Sequence, residues 1–211
     1  MSRPLVVTDC DEVLLHMVRH FRDWLGEEHG IEFRLEGNPF AQSVSYKGSG
    51  AAVEEALLWE LLTRFFDTEM HRQTAIEGAP GALAELQREA DVVVLTNLVD
   101  RFGEARRAQL RDHGIEARVF TNQGPKGAAL RRIVEELKPT RAVFIDDLAV
   151  HHASAGEELP DVRRLHFCGE PAIAPHVPCA LEQGHAHARI DTWAEALPWL
   201  IETLHGVRHE D

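Results

Sequence analysis

The sequence predicts an α/β protein: a parallel sheet covered by helices on both faces, with a helical subdomain inserted after the first strand. Three observations predict it. Short β-branched apolar runs alternate with helical patterns from about residue 79 onward, the signature of a sheet buried on both sides. One more such run, PLVVT at 4–8, stands alone near the N-terminus. Between it and the next run lie about 80 residues of mostly helical periodicity, far more than one crossover requires.

The elements follow in order. Residues 4–8 read as a buried strand. From about 15 to 29, Met17, Val18, Phe21, Trp24 and Leu25 fall on one helical face. The polar, glycine-containing stretch 30–50 reads as a loop or irregular hairpin. Helical spacing returns over 53–66 through Val53, Leu57, Leu61 and Phe65. A helix, GALAELQRE at 81–89, leads to the strand DVVVLT at 91–96, a charged helix over 101–113, and a short strand at 117–121. A helix at 126–137 precedes RAVFID at 141–146; a short helix, VRRLHF at 162–167 and a last helix over 192–204 close the chain. The economical division is a core of 1–15 and 78–211 carrying an inserted segment, 16–77. There is no internal repeat and no low-complexity segment.

Bulk properties narrow the function. A chain of 211 residues suffices for one well-buried core. Its net charge of −13 opposes binding to nucleic acid and to anionic membranes. No apolar run approaches the roughly 18–20 residues that span a bilayer, and the N-terminus enters a strand too early to leave room for a signal peptide. Three irregularly spaced cysteines point to a reducing cytoplasm. A small anionic metabolite remains a fitting partner if one pocket is locally positive.

In open α/β sheets the ligand site lies beyond the carboxyl ends of the strands. Those ends carry Asp9-Cys10-Asp11, Thr96-Asn97 and Asp146-Asp147, while Lys126 opens a helix behind the Gly124-Pro125 turn. Each alone is an ordinary turn residue or helix cap. Together they are chemically coherent. Clustered carboxylates repel unless a cation sits among them, hard oxygen ligands suit Mg²⁺, and a carboxylate can attack phosphorus to form an acyl phosphate. Lysine is scarce, only Lys47, Lys126 and Lys138, and a cation at a helix start runs against the helix dipole.

LVVTDCDEVLL, VVVLTNL, GPK and VFIDDLAVH, in that order, resemble motifs one to four of the haloacid dehalogenase (HAD) superfamily. The resemblance spans the whole chain and implies a Rossmann-like three-layer core with a helical C1-type cap. It implies that Asp9 is the nucleophile and a Mg²⁺ ligand. It makes Asp11 the general acid/base, with its backbone carbonyl on the metal. Thr96 and the backbone of Asn97 become the phosphate-binding motif, and Lys126 the charge-neutralising lysine. Asp147 becomes the principal metal carboxylate, with Asp146 beside it as a second-sphere or water-mediated ligand. Two positions depart from the pattern: Glu12-Val13 replaces the usual small pair after the aspartates, and His151 stands where Asp or Asn is common.

Asp11 favours phosphate-ester hydrolysis over carbon–halogen cleavage, which needs no proton donor to an alcohol. The expected activity is Mg²⁺-dependent hydrolysis of a small phosphate monoester; a phosphotransferase or mutase uses the same motifs. A receiver-type signalling domain has the parts in another order, and a non-catalytic module would have no need to keep Asp9, Asp11 and Lys126. Cys10 reads as a buried core residue. Cys168, His176, Cys179, His185 and His187 are zinc-capable but lack organising spacing, and the plainer reading is an exposed loop. In the cap, Gln42, Ser43, Ser45, Tyr46 and Lys47 form a polar patch open to either substrate contact or solvent. Trp59, Phe65 and Phe66 read as cap-helix core.

Overall fold

The computed structural model describes residues 2–34 and 44–206. Its centre is a six-stranded sheet of β1 (Leu5–Thr8), β4 (Asp91–Thr96), β5 (Arg118–Thr121), β6 (Ala142–Asp146), β7 (Arg163–His166) and β8 (Ala188–Arg189). The spatial order is β5-β4-β1-β6-β7-β8, and every neighbouring pair is parallel. β1 is central and buried at all four residues, as its unbroken apolar sequence requires. Thr8 pairs with Val94 on one side and Ile145 on the other, so three carboxyl ends open side by side.

Alternation along the strands sends successive side chains to opposite faces. Val6, Val94 and Ile145 pack on one face against α3 (Ala79–Glu89), α4 (Gly103–Asp112) and α7 (Trp193–His205) through Leu83, Leu110 and Trp193. Leu5, Val7 and Phe144 pack on the other against α5 (Gly127–Leu137) and α6 (Ala149–Glu158) through Leu130, Ile133 and Ala155. The result is the three-layer architecture the alternating pattern predicts.

The segment between β1 and α3 builds its own apolar cluster. It contains α1 (Val18–Glu28), the antiparallel hairpin β2 (Ile31–Phe33) and β3 (Val44–Tyr46), and α2 (Glu55–Thr68). Phe21 lies at its middle, with ring centroids 5.4 Å from Phe65, 6.2 Å from Trp24 and 6.4 Å from Phe33. Leu98 and Phe102, from the connection after β4, join the same cluster and seat it on the sheet's carboxyl edge.

Several local expectations change. α1 begins at Val18 rather than near residue 15, because Val13, Leu14 and Leu15 belong to the sheet's core. Trp59 is not core: it is 52% exposed, whereas Phe65 and Phe66 are buried. β8, absent from the sequence reading, adds to the sheet edge as a two-residue strand too short to show periodicity. Gln42 and Ser43 lie outside the described residues; Ser45 and Tyr46 sit on β3, and Lys47 donates to the Gly26 carbonyl at 2.7 Å. Among the described residues no helix is long and apolar enough to cross a membrane.

Phe21→Ala empties the centre of the inserted cluster and is expected to cost about 3–5 kcal/mol. Urea unfolding of the variant and the parent checks this; a loss below about 1 kcal/mol would show that the cluster repacks.

Candidate active site

Asp9 leaves β1 at the middle of the sheet, its backbone N–H donating to the Ile145 carbonyl at 2.8 Å. Lys126 reaches it from the start of α5. Its Nζ lies 2.7 Å from Asp9 Oδ1 and 2.7 Å from Asp146 Oδ2, with no part of the lysine side chain exposed. The local sequence permits this approach. Gly124 turns the chain at φ +79°, and Gly127 lets α5 press against α6, where an added Cβ would stand 2.2 Å from the Ser154 carbonyl oxygen. Gly127 N–H also donates to Ser154 Oγ at 2.9 Å.

Asp9, Asp146 and Asp147 bring carboxylate oxygens within 4.8 Å of one another. Three carboxylates against one ammonium leave two surplus negative charges when all are ionised. Burial, followed by the charges of Asp146 and Asp11, raises the Asp9 carboxyl to about 7 despite Lys126. Burial and then Asp146 and Asp9 push Asp147 well above the usual carboxylate range. Asp146 goes the other way. Burial raises it, but Lys126, His151 and His152 outweigh burial and hold it low. Asp146 is thus the anchor for Lys126, and its second oxygen accepts from Leu148 N–H at 3.0 Å. Asp147 accepts no hydrogen bond on its carboxylate among those of the described residues. Asp9 and Asp147 are the side chains that could hold a divalent cation, which would offset the charge surplus and occupy the open carboxylate.

Asp11 stands apart from this group. Arg106 Nη2, on α4, donates to both its carboxylate oxygens at 2.9 and 3.1 Å, and Gln73 Nε2 donates at 3.0 Å. Arg106 is wholly buried, and its Nη1 lies 3.2 Å from Cys10 Sγ. Cys10 is fully buried in the sheet's core, where burial raises its thiol far above the usual range. The sequence reading missed Arg106 and Gln73. Arg106 lies in a helix whose charged sequence looks solvated, and neither residue has a motif.

Thr96 is fully buried at the end of β4, and its hydroxyl has no hydrogen-bond partner among the described residues. That suits a group meant to meet an anionic oxygen. The Asn97 side chain instead braces the turn: Nδ2 donates to the Gly124 carbonyl at 3.0 Å, and Oδ1 accepts from Asn122 at 2.9 Å. His151 is buried with Nε2 3.4 Å from Asn97 Nδ2.

Glu12, the departure after the aspartates, adopts φ +60°, a conformation few non-glycine residues take. Its Oε1 accepts from Met17 and Val18 N–H at 2.9 and 2.6 Å, capping α1. The zinc-capable residues of the C-terminal loop do not assemble. Among the described residues none of Cys168, His176, Cys179, His185 or His187 joins a group of three metal-capable side chains. The loop is not simply exposed either, because Cys168 is buried and His187 Nδ1 accepts from Arg164 N–H at 3.0 Å.

Known proteins give context for this geometry. No protein-family model matches the chain, and neither does any curated protein. Solved structures do match. A HAD family hydrolase from Deinococcus radiodurans, determined with bound phosphate and sodium, superposes with a TM-score of 0.66 at 18% identity, over 97% of each chain. A haloacid dehalogenase-like protein of unknown function from Agrobacterium tumefaciens gives 0.66 at 18% identity, over 95% of this chain and 98% of that one. A HAD-hydrolase from Bacillus subtilis bound to magnesium gives 0.60 at 16%, over 95% and 99%. At such identities the likeness is one of fold. The chain has the haloacid dehalogenase fold.

His152 supplies a test of the packing beneath the carboxylates. It is wholly buried, with Nε2 2.9 Å from the Asp146 carbonyl, and burial lowers its pKa to about 4. The neutral ring therefore stabilises the fold fully above the unfolded pKa of about 6.5, and this contribution is lost as pH falls toward about 4. The loss is on the order of 3 kcal/mol. His152→Gln, which keeps a donor for the carbonyl, is expected to flatten that part of the urea-midpoint profile; an unchanged acid limb would exclude His152 as its source.

Proposed function

We propose that the protein is a HAD-type phosphatase that hydrolyses a small phosphate monoester, with Mg²⁺, through an aspartyl-phosphate on Asp9. The observation that carries this reading is the buried group of Asp9, Asp146 and Asp147 around one ammonium, at the carboxyl ends of β1 and β6. The phosphate and the magnesium bound to two proteins of the same fold support it.

Each residue has a definite task in this reading. The Asp9 carboxylate attacks phosphorus and the ester oxygen leaves. Asp11 donates a proton to that oxygen and then accepts one from the water that cleaves the acyl phosphate. Arg106 and Gln73 fix where Asp11 stands. Lys126 stabilises charge on Asp9 and on the transferring group, and Thr96 Oγ1 with the Asn97 backbone holds a phosphoryl oxygen. The Asp9 and Asp147 carboxylates and the Asp11 carbonyl would hold the Mg²⁺, with Asp146 behind Lys126. When bound, that ion supplies neutralisation of phosphoryl charge. The inserted segment, 16–77, serves as the cap that separates the reacting group from solvent. The proposed setting is the cytoplasm, with a small phosphorylated metabolite as partner and neither nucleic acid nor membrane involved.

Three outcomes test the proposal. Phosphate release from a generic aryl phosphate is expected to disappear in Asp9→Asn, and to fall at least about 100-fold in Lys126→Ala; a mild effect at Lys126 would mean that another cation serves the site. Asp11→Asn is expected to slow esters with poor leaving groups far more than phosphoryl transfer from acetyl phosphate, and equal losses would remove its acid role. Because the cation needs an ionised Asp9, whose carboxyl is raised to about 7, the thermal shift given by Mg²⁺ should be larger at about pH 8 than at about pH 6. An equal shift at both, or one retained in Asp147→Asn, would contradict the assigned ligands.

A further inference from the structure

The reaction centre opens into a cavity of about 470 Å³, and Asp9, Asp11, Asn97 and Asp147 are among its lining residues. Phosphoryl chemistry needs polar groups around the phosphate, and those residues provide them. The remaining walls have a different character. Met17, Val18, Leu62 and Phe66 face the cavity from the inserted segment, and Ile173 and Val177 from the connection after β7. These side chains offer no hydrogen bond.

Among the described residues, the polar side chains of the lining outside the reaction centre are those of Glu12, Arg34, His151 and His176, set among a larger number of apolar ones. Arg34 is paired with Glu32 at 3.2 Å. Glu12 Oε1 caps α1 and His151 Nε2 lies 3.4 Å from Asn97 Nδ2, while Glu12 Oε2 and His151 Nδ1 have no hydrogen-bond partner among the described residues. His176 is exposed and belongs to the same lining. Trp59 and Leu148, two large apolar residues that are 52% and 41% exposed, also line this cavity. The Trp59 indole N–H donates to Glu55 Oε1 at 3.2 Å, so the polar edge of the ring is committed on its own helix.

A sugar or nucleotide presents hydroxyls all round, and each one buried against such walls exchanges water for no partner. An alkyl or aryl group has nothing to lose there, and it covers apolar surface that otherwise faces solvent. The volume suits one small organic molecule. We propose that the substrate is the phosphate monoester of an apolar alcohol, alkyl or aryl, whose hydrocarbon fills this chamber while its phosphate meets Asp9 and Lys126. The inference rests on the phosphatase reading for the role of the phosphate, and names the substrate class that reading leaves open.

Binding of n-alkylphosphonates, from methyl to octyl, tests the chamber without turnover, because their P–C bond resists hydrolysis. With Mg²⁺ present, affinity by titration calorimetry is expected to rise about three- to fourfold per methylene until the cavity is full. Leu62→Gln is expected to weaken long chains more than methylphosphonate, and should that variant fold poorly the wild-type series still decides. An affinity independent of chain length, or tighter binding of glycerol phosphate than of hexylphosphonate, would overturn the proposal. Acetyl phosphate, too short to use the walls, reports on the hydrolytic centre alone. Its failure to turn over alongside an intact chain-length series would contradict the phosphatase reading and still support the apolar chamber.

Discussion

Burying three carboxylates where three strands end is possible here because one ammonium is buried with them. Lys126 lies 2.7 Å from both Asp9 and Asp146; without it, ionised groups in that setting would face a large desolvation penalty with no compensation. Much of the surrounding structure serves to deliver that lysine. The tight turn at Gly124, the close contact of Gly127 with Ser154, and the bracing of the turn by Asn97 and Asn122 all fix where α5 begins. With all three carboxylates ionised the lysine still leaves surplus negative charge, which in the proposed function a bound cation would offset before an anionic phosphoryl group approaches.

A second ionic pair, with hydrogen bonds of its own, governs Asp11. Arg106 and Gln73 hold it from two directions, one from α4 on the sheet and one from the chain returning out of the inserted segment. Gln109 ties Gln73 further to α4 at 3.1 Å. The proposed acid/base is therefore fixed by contacts from both core and insertion, whereas the proposed nucleophile, Asp9, is held by the core. Glu12 continues this division of labour: it turns the chain out of β1 and caps the first helix of the insertion.

The sequence showed most of what the backbone does, because apolar strands buried on both faces leave a strong pattern. It also showed the strand-end carboxylates and the lysine, since chain order and the carboxyl-edge rule place them together. Arg106 was invisible for a physical reason. Its helix reads EARRAQLRD, and nothing local distinguishes the arginine that turns inward to Asp11 from those beside it. Trp59 misled in the opposite sense, since its apolar bulk suggests core while its position on α2 leaves half of it exposed at the cavity. The polar patch that the sequence left open to substrate contact or solvent illustrates a third limit. Ser45, Tyr46 and Lys47 are polar and near the insertion's loop, yet they lie outside the cavity lining, whose part from the insertion is mostly apolar side chains that look like ordinary core.

The proposed function turns on Asp9 carrying the phosphoryl group. The most direct measurement is to quench a reaction with excess enzyme, Mg²⁺ and a reactive aryl phosphate in hydroxylamine, then sequence the N-terminal peptide by mass spectrometry. Hydroxylamine converts an acyl phosphate to a hydroxamate at the residue that held it. The account predicts the hydroxamate on Asp9 and its absence in Asp9→Asn. Phosphate release with Asp9 unmodified, or modification of another carboxylate, would contradict it.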